Sequence, residues 1–179
     1  MQTTNHFSRY SPCQKTMGNL IVLVLLFVFK CHSQETLSGL LNTYNNNSVP
    51  YISVQELAAS KTKTIVLDAR ELKEFEISHI KDAIHVGFDS FNLKNTTQKF
   101  NEKQLAIVVY CSLGVRSEDI AEQLKKAGYS NVKNLYGGIF EWKNSGFPVY
   151  DIKNKETDSI HTYSIEWGKW LKKGIKVYD

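Results

Sequence analysis

The fold class the sequence predicts is an α/β domain with a mainly parallel central sheet and helices on both faces, and three observations predict it. Short apolar runs recur at 64–69 (TIVLDA), 83–88 (AIHVGF), 105–111 (LAIVVYC) and 131–136 (NVKNLY). Runs of this length with little polar alternation read as strands covered on both faces, the habit of parallel sheets. Segments with helical spacing lie between them, and that alternation is the signature of an α/β layer architecture. Finally, 179 residues suffice for one domain with a real core, and no internal repeat divides them.

Taken in order, residues 1–33 stand apart. They hold an uninterrupted apolar run, Leu20 to Phe29, flanked only by basic charge at Arg9, Lys15 and Lys30. A membrane-spanning helix needs about 20 apolar residues, whereas a secretory signal peptide needs about 7–15. Residues 1–33 are therefore expected to be a signal peptide, cleaved after Ser33 where Cys31 and Ser33 supply small residues, and the protein to be exported to a periplasm or the cell exterior. The alternatives are a membrane anchor formed by an uncleaved leader, or lipid on Cys31, against which the bulky, charged Lys30 argues.

The leader carries three of the 22 Lys and Arg and none of the 18 Asp and Glu, which leaves 19 against 18 after processing. A near-neutral domain has no electrostatic reason to hold nucleic acid, or a membrane beyond the leader. Cys13 and Cys31 leave with the leader, so Cys111 has no partner for an internal disulfide. A lone thiol in an exported protein is there for use or is buried.

Residues 34–49, with the polar stretch NTYNNNS, read as a linker, and the domain is expected to span 50–150. Its clearest helix runs from Arg116 to Ala127, with Ile120, Ala121, Leu124 and Ala127 on one face, Glu118 and Asp119 in the first turn and Gly128 as the stop. Residues 151–179 form an extension too short for a second domain. Its Tyr163, Trp167, Trp170 and Leu171 are expected to make an amphipathic helix packed on the domain, with a partner-binding surface as the alternative.

The chemistry concentrates in CSLGVRS, 111–117. Cys111 ends a strand and the following helix begins at Arg116, which is where open α/β sheets bind ligands. Amides of a tight loop and a first helical turn together form an anion cradle. Such a cradle favours thiolate over thiol and yields a nucleophile at neutral pH. Gly114 supplies the freedom for a positive φ or a close approach, and Arg116 a planar fork suited to an oxyanion. Outside the leader the chain has two arginines, Arg70 and Arg116, among many lysines, so arginine is used where geometry matters. In the first block, Asp68, Arg70 and Glu74 read as a network anchoring a strand end rather than as catalytic groups, and His79 as a structural histidine.

Three separated blocks resemble the rhodanese family of sulfurtransferases over about Pro50 to Tyr150. DARELKEFEISHIKDAIHV is similar to its amino-terminal signature, CSLGVRS to its active-site loop, and LYGGIFEWKNSGFPV to its carboxyl-terminal block with Gly137, Gly138, Trp142, Gly146 and Pro148 in place. The first block departs at Ser78 and Asp82, where the family usually has glycine.

The resemblance implies a rhodanese-like fold and a sulfane sulfur carried on Cys111 as a persulfide, from thiosulfate, a polysulfide or a persulfide to a thiol or cyanide. It assigns Cys111 and Arg116 to catalysis, Ser112, Leu113, Gly114, Val115 and Ser117 to the substrate-binding loop, and Asp68 and Arg70 to its support. No metal or organic cofactor is implied. The implied partners are a small sulfur-donor anion and a thiol acceptor, with a partner protein as the alternative in either role. Ser112, Leu113 and Val115 carry no charge, so thiosulfate is expected to turn over modestly and a persulfide, polysulfide or partner protein to be the donor. Two other functions stay open: a carrier or binding module without turnover, and a cysteine phosphatase or arsenate reductase, whose loops have one residue more between Cys and Arg.

Overall fold

The computed structural model describes residues 35–61 and 63–179, so the expected leader lies outside the described residues. Within them the helices are α1 (Leu37–Tyr44), α2 (Val54–Ala59), α3 (Leu72–Ile77), α4 (Leu93–Thr97), α5 (Arg116–Lys126), α6 (Gly138–Asn144) and α7 (Ile165–Gly168). The strands are β1 (Tyr51–Ile52), β2 (Thr64–Asp68), β3 (Ile84–His85), β4 (Ala106–Tyr110), β5 (Val132–Leu135), β6 (Val149–Tyr150), β7 (Glu156–Thr157), β8 (Ser159–His161) and β9 (Ile175–Val177).

Five strands pair in the order β1-β5-β4-β2-β3, every pair parallel. The central strand β4 shows why the sequence reads as a near-continuous apolar run. Val108 and Tyr110 enter one buried cluster with Leu41, Val54, Leu135 and Phe140, while Ile107 and Val109 enter another with Leu67, Ile120 and Leu124. Successive side chains of a strand point to opposite faces, so a strand covered on both sides has no polar face. Helix α5 covers the second face with the stripe predicted for it, and Gly128 at φ +91° follows its end.

The peripheral elements differ from expectation. Of the expected linker, 34–49, the described part 35–49 is not a linker: it contains α1, capped by Thr36 Oγ1 accepting from the Gly39 amide, and the compact unit begins at Thr36. Leu40 and Leu41 are buried in the core, and Glu118 accepts the backbone N–H groups of Asn46 and Ser48, fastening the polar stretch to α5. The edge strand β3 is confined to two residues of the apolar run at 83–88.

The extension carries no amphipathic helix through Tyr163, Trp167, Trp170 and Leu171, because its helix stops at Gly168 after four residues. Its order comes from two ribbons, β6 with β7 antiparallel and β8 with β9 parallel, and from Ile160 and Leu171 buried in the α1 side of the core.

Candidate active site

The strand ends of β2, β3 and β4 open on a pocket of about 330 Å³ whose lining includes Cys111, Ser112, Leu113, Val115 and Arg116. Cys111 is the residue after β4 and Arg116 the first of α5, so the loop lies between a strand terminus and a helix amino terminus. Cys111 is 2% exposed, and Leu113 beside it likewise, so both form the floor.

The loop is shaped by what holds its carbonyls. Cys111 O accepts from the Ile139 amide at 2.9 Å and Ser112 O from the Phe140 amide at 3.2 Å, both in the first turn of α6. Gly114 O accepts from Asn45 Nδ2 and Asn134 Nδ2, each at 2.8 Å. In a trans peptide the carbonyl and the next N–H point in opposite directions. Pinning these three oxygens therefore turns the N–H groups of Ser112, Leu113 and Val115 to the other side of the loop. The Gly114 N–H itself donates to Cys111 Sγ at 3.1 Å. Among the described residues the amides of Val115, Arg116 and Ser117 meet no acceptor, as expected of a helix start.

Two glycine positions make this possible. Gly114 takes φ +111°, a conformation that side chains with a Cβ rarely adopt. Gly138, at φ +54°, sits so close beneath the loop that a Cβ there would lie 2.2 Å from Cys111 O. The second glycine of Gly137-Gly138 is thus the seat of the loop between Cys111 and Arg116.

Ser117 Oγ lies 2.7 Å from Asn134 Oδ1 and 3.5 Å from Cys111 Sγ. Asn134 spends its Nδ2 on Gly114, so its Oδ1 is an acceptor for the Ser117 hydroxyl, and Cys111 Sγ is a second acceptor within reach of the same hydroxyl. The hydroxyl has one proton to give, shared between Asn134 Oδ1 and Cys111 Sγ, and negative charge on sulfur shifts that balance toward Cys111.

Arg116 corrects an expectation. Its guanidinium does not stand free as an anion-binding fork: Nη1 and Nη2 donate to Glu74 Oε2 and Oε1 at 2.7 and 2.9 Å, and Nη2 also reaches Ser112 Oγ at 3.1 Å. A planar fork matches a carboxylate edge to edge, and Glu74 on α3 occupies it. Burial alone would push the Glu74 carboxyl up. The hydrogen bond and charge of Arg116, with Arg70 and the Glu71 amide, hold it below the ordinary carboxylate range. Arg116 is correspondingly held more firmly protonated than usual: burial opposes its charge, but Glu74 and the neighbouring Cys111 outweigh it.

Residues 53–145 match the Rhodanese-like domain family. The chain belongs to that family. An uncharacterized protein of Synechocystis sp. is 28% identical over 134 residues, 75% of this chain and 73% of that one. The tRNA uridine(34) hydroxylase of Listeria monocytogenes is 39% identical over 79 residues, covering 42% of this chain but 25% of the relative's length. The chain thus spans a minor part of the curated hydroxylases it matches. Thiosulfate sulfurtransferase from Pseudomonas aeruginosa shares the fold at TM-score 0.53 and 21% identity, over 69% of this chain and 23% of that one.

The rhodanese-like signature residues separate into two groups. Asp68 and Arg70 pair with each other away from the pocket lining, and Arg70 Nη2 also donates to Ser78 O at 2.6 Å. They form the expected anchor at the end of β2. Glu74, expected in that same network, instead reaches Ser112 and Arg116 in the candidate loop. His79 stacks on Phe75 and its Nδ1 lies 3.1 Å from the Phe75 carbonyl, a satisfied structural role. Asp82, standing where the family has glycine, takes φ +60° regardless, a conformation that Asp tolerates better than most residues.

Sequence reasoning missed Glu74 as a site residue, and Asn45 and Asn134 entirely. Asn134 offered one signal, an amide inside an otherwise packed strand. A buried amide needs partners, and here they are the Gly114 carbonyl and the Ser117 hydroxyl.

Proposed function

We propose that this rhodanese-like domain is a sulfurtransferase that carries a sulfane sulfur on Cys111. The observation that carries the reading is the Gly114 N–H directed at Cys111 Sγ from 3.1 Å, in a loop whose carbonyls are held elsewhere. Preorganised donors aimed at developing negative charge are worth about 10²–10³ in rate each.

The chemistry needs one nucleophile. Cys111 thiolate attacks the sulfane sulfur of the donor, a new S–S bond forms, and the donor's own S–S bond breaks with its electron pair on the leaving sulfite or thiolate. An acceptor thiolate then takes the outer sulfur of the Cys111 persulfide, returning the Cys111 thiolate. Amides and the Ser117 hydroxyl stabilise the charge on sulfur at both stages. Arg116, paired with Glu74, fixes Ser112 and the loop.

A phosphatase is not favoured. Four residues separate Cys111 from Arg116, and the arginine fork that would bind phosphate is filled by Glu74. Export directed by residues 1–33 belongs to the same proposal, with small sulfur compounds rather than nucleic acid as partners.

Turnover tests it. Sulfide release from a small persulfide in the presence of a thiol is expected for the wild type and to fall to background in Cys111→Ser, with no release from an aryl phosphate. Unchanged turnover in Cys111→Ser would reject the proposal.

A further inference from the structure

The charge around the pocket points to a class of donor. We propose that the domain takes its sulfur from a low-molecular-weight persulfide bearing a protonated amine on a short carbon body, an aminothiol persulfide, rather than from thiosulfate. The inference rests on the reading of Cys111 as the sulfur carrier.

Arg116 is the cation in the pocket lining, and it brings no net charge. Its fork is closed on Glu74, whose side chain is fully buried, and the Tyr163 ring lies over the guanidinium with its centroid 5.2 Å away. Lys73, on α3, is paired with Asp179.

Two carboxylates in the lining, Glu71 and Asp89, are paired with no cation among the described residues. Glu71 Oε1 accepts the N–H groups of Phe88 and Asp89 at 3.3 and 3.2 Å, which fixes that carboxylate against the loop after β3. The Asp89 carboxylate is exposed and meets no donor among the described residues. A dianion entering this pocket meets both carboxylates and the Cys111 thiolate. An ammonium is attracted by all three.

The lining also takes two aromatic side chains from the extension, Tyr163 and Trp167. Trp167 is braced by the Tyr44 ring, with centroids 5.7 Å apart. Tyr163 is held at φ +65°, its N–H donating to His161 Nδ1 at 3.1 Å. The Arg116 guanidinium lies over the Tyr163 ring, so of these two rings Trp167 is the one that attracts an organic cation through both its charge and its carbon surface. A volume of about 330 Å³ fits a small molecule.

The step balances without an oxidant. Cys111 thiolate bonds to the outer sulfur of the donor, the donor's S–S bond breaks, and the aminothiol leaves as a thiolate that takes a proton from water. The Cys111 persulfide retains the transferred sulfur and the original persulfide charge.

Single-turnover loading of Cys111 in the whole protein tests the inference. The probes are the persulfides of cysteamine, mercaptoethanol and mercaptoacetate, and thiosulfate, each rate normalised to that of the same donor with a free small thiol. The cysteamine persulfide is expected to load about tenfold faster than the mercaptoacetate persulfide, with the mercaptoethanol persulfide between them and thiosulfate slowest. Salt should narrow the spread. Asp89→Asn should reduce the cation-to-anion ratio about threefold, and Glu71→Gln with Asp89→Asn should remove it. Trp167→Leu should slow the cationic donor more than the neutral one. Equal normalised rates, a faster anion, or a ratio indifferent to Asp89→Asn would overturn the inference while leaving Cys111 as carrier. Loading by no donor at all would overturn the carrier reading, and this inference with it.

Discussion

The two arginines among the described residues each hold a carboxylate, and the burial of the pairs separates their uses. Arg70 and Asp68 are both 0% exposed, with Nη2 to Oδ2 at 2.6 Å, a further bond to Ser78 O, and the Tyr110 ring 5.6 Å from the guanidinium carbon. Arg116 and Glu74 make the same kind of contact, but the arginine side chain keeps 19% exposure at the pocket. Closure on every side turns an ion pair into an anchor for the end of β2. Leaving one side open turns it into a positioned wall, where the charge is cancelled but the geometry of Ser112 and the loop is set. The comparison teaches that an arginine in an active-site loop need not be the anion binder.

The comparison can be broken at the sealed pair first. Arg70→Met leaves Asp68 buried without its cation and is expected to cost about 3–5 kcal/mol in urea unfolding. A smaller loss would mean that water reaches Asp68. Arg116→Met strands Glu74 in the same way, but beside a pocket that admits water. We expect about 2 kcal/mol there, with a loss of sulfur transfer larger than the loss of stability explains. If activity survived, Ser112 and the loop would not depend on the pair.

Acid provides a third test. Glu74 has a folded pKa below its unfolded value, so its contribution to stability is complete above an unfolded value of about 4.3 and is lost as pH falls through the folded value. Wild type should therefore lose stability relative to Glu74→Gln on descending through that window, and the two profiles should run parallel at neutral pH. A third pair, Lys126 with Glu122 on the surface of α5, completes the series. Lys126→Ala should leave the unfolding midpoint within error, because exposed pairs contribute little.

What was legible in the sequence follows from which interactions are local. The apolar run of β4, the loop at 111–115 and the stripe of α5 are each written in consecutive residues, so the parallel sheet and the position of Cys111 could be read directly. Helix α1 could not, because Leu37, Leu40 and Leu41 give it one short apolar face beside an asparagine-rich stretch. The partners of the loop were equally hidden. Asn45 reaches Gly114 across 69 positions and Glu74 reaches Arg116 across 42, separations that leave no periodic trace. In the extension, β8 pairs with β9 across a turn and a short helix, and that pairing, not helical spacing, brings Tyr163 and Trp167 to the pocket.

The central claim is that Cys111, on the pocket floor with an amide directed at its sulfur, accepts and holds a sulfur atom. Peptide mass spectrometry of the purified protein after brief exposure to a small persulfide tests it most directly. The account predicts the mass of one added sulfur on the peptide containing Cys111, removed by excess thiol and missing from Cys111→Ser. An unmodified Cys111, under conditions that load a free small thiol, would contradict it.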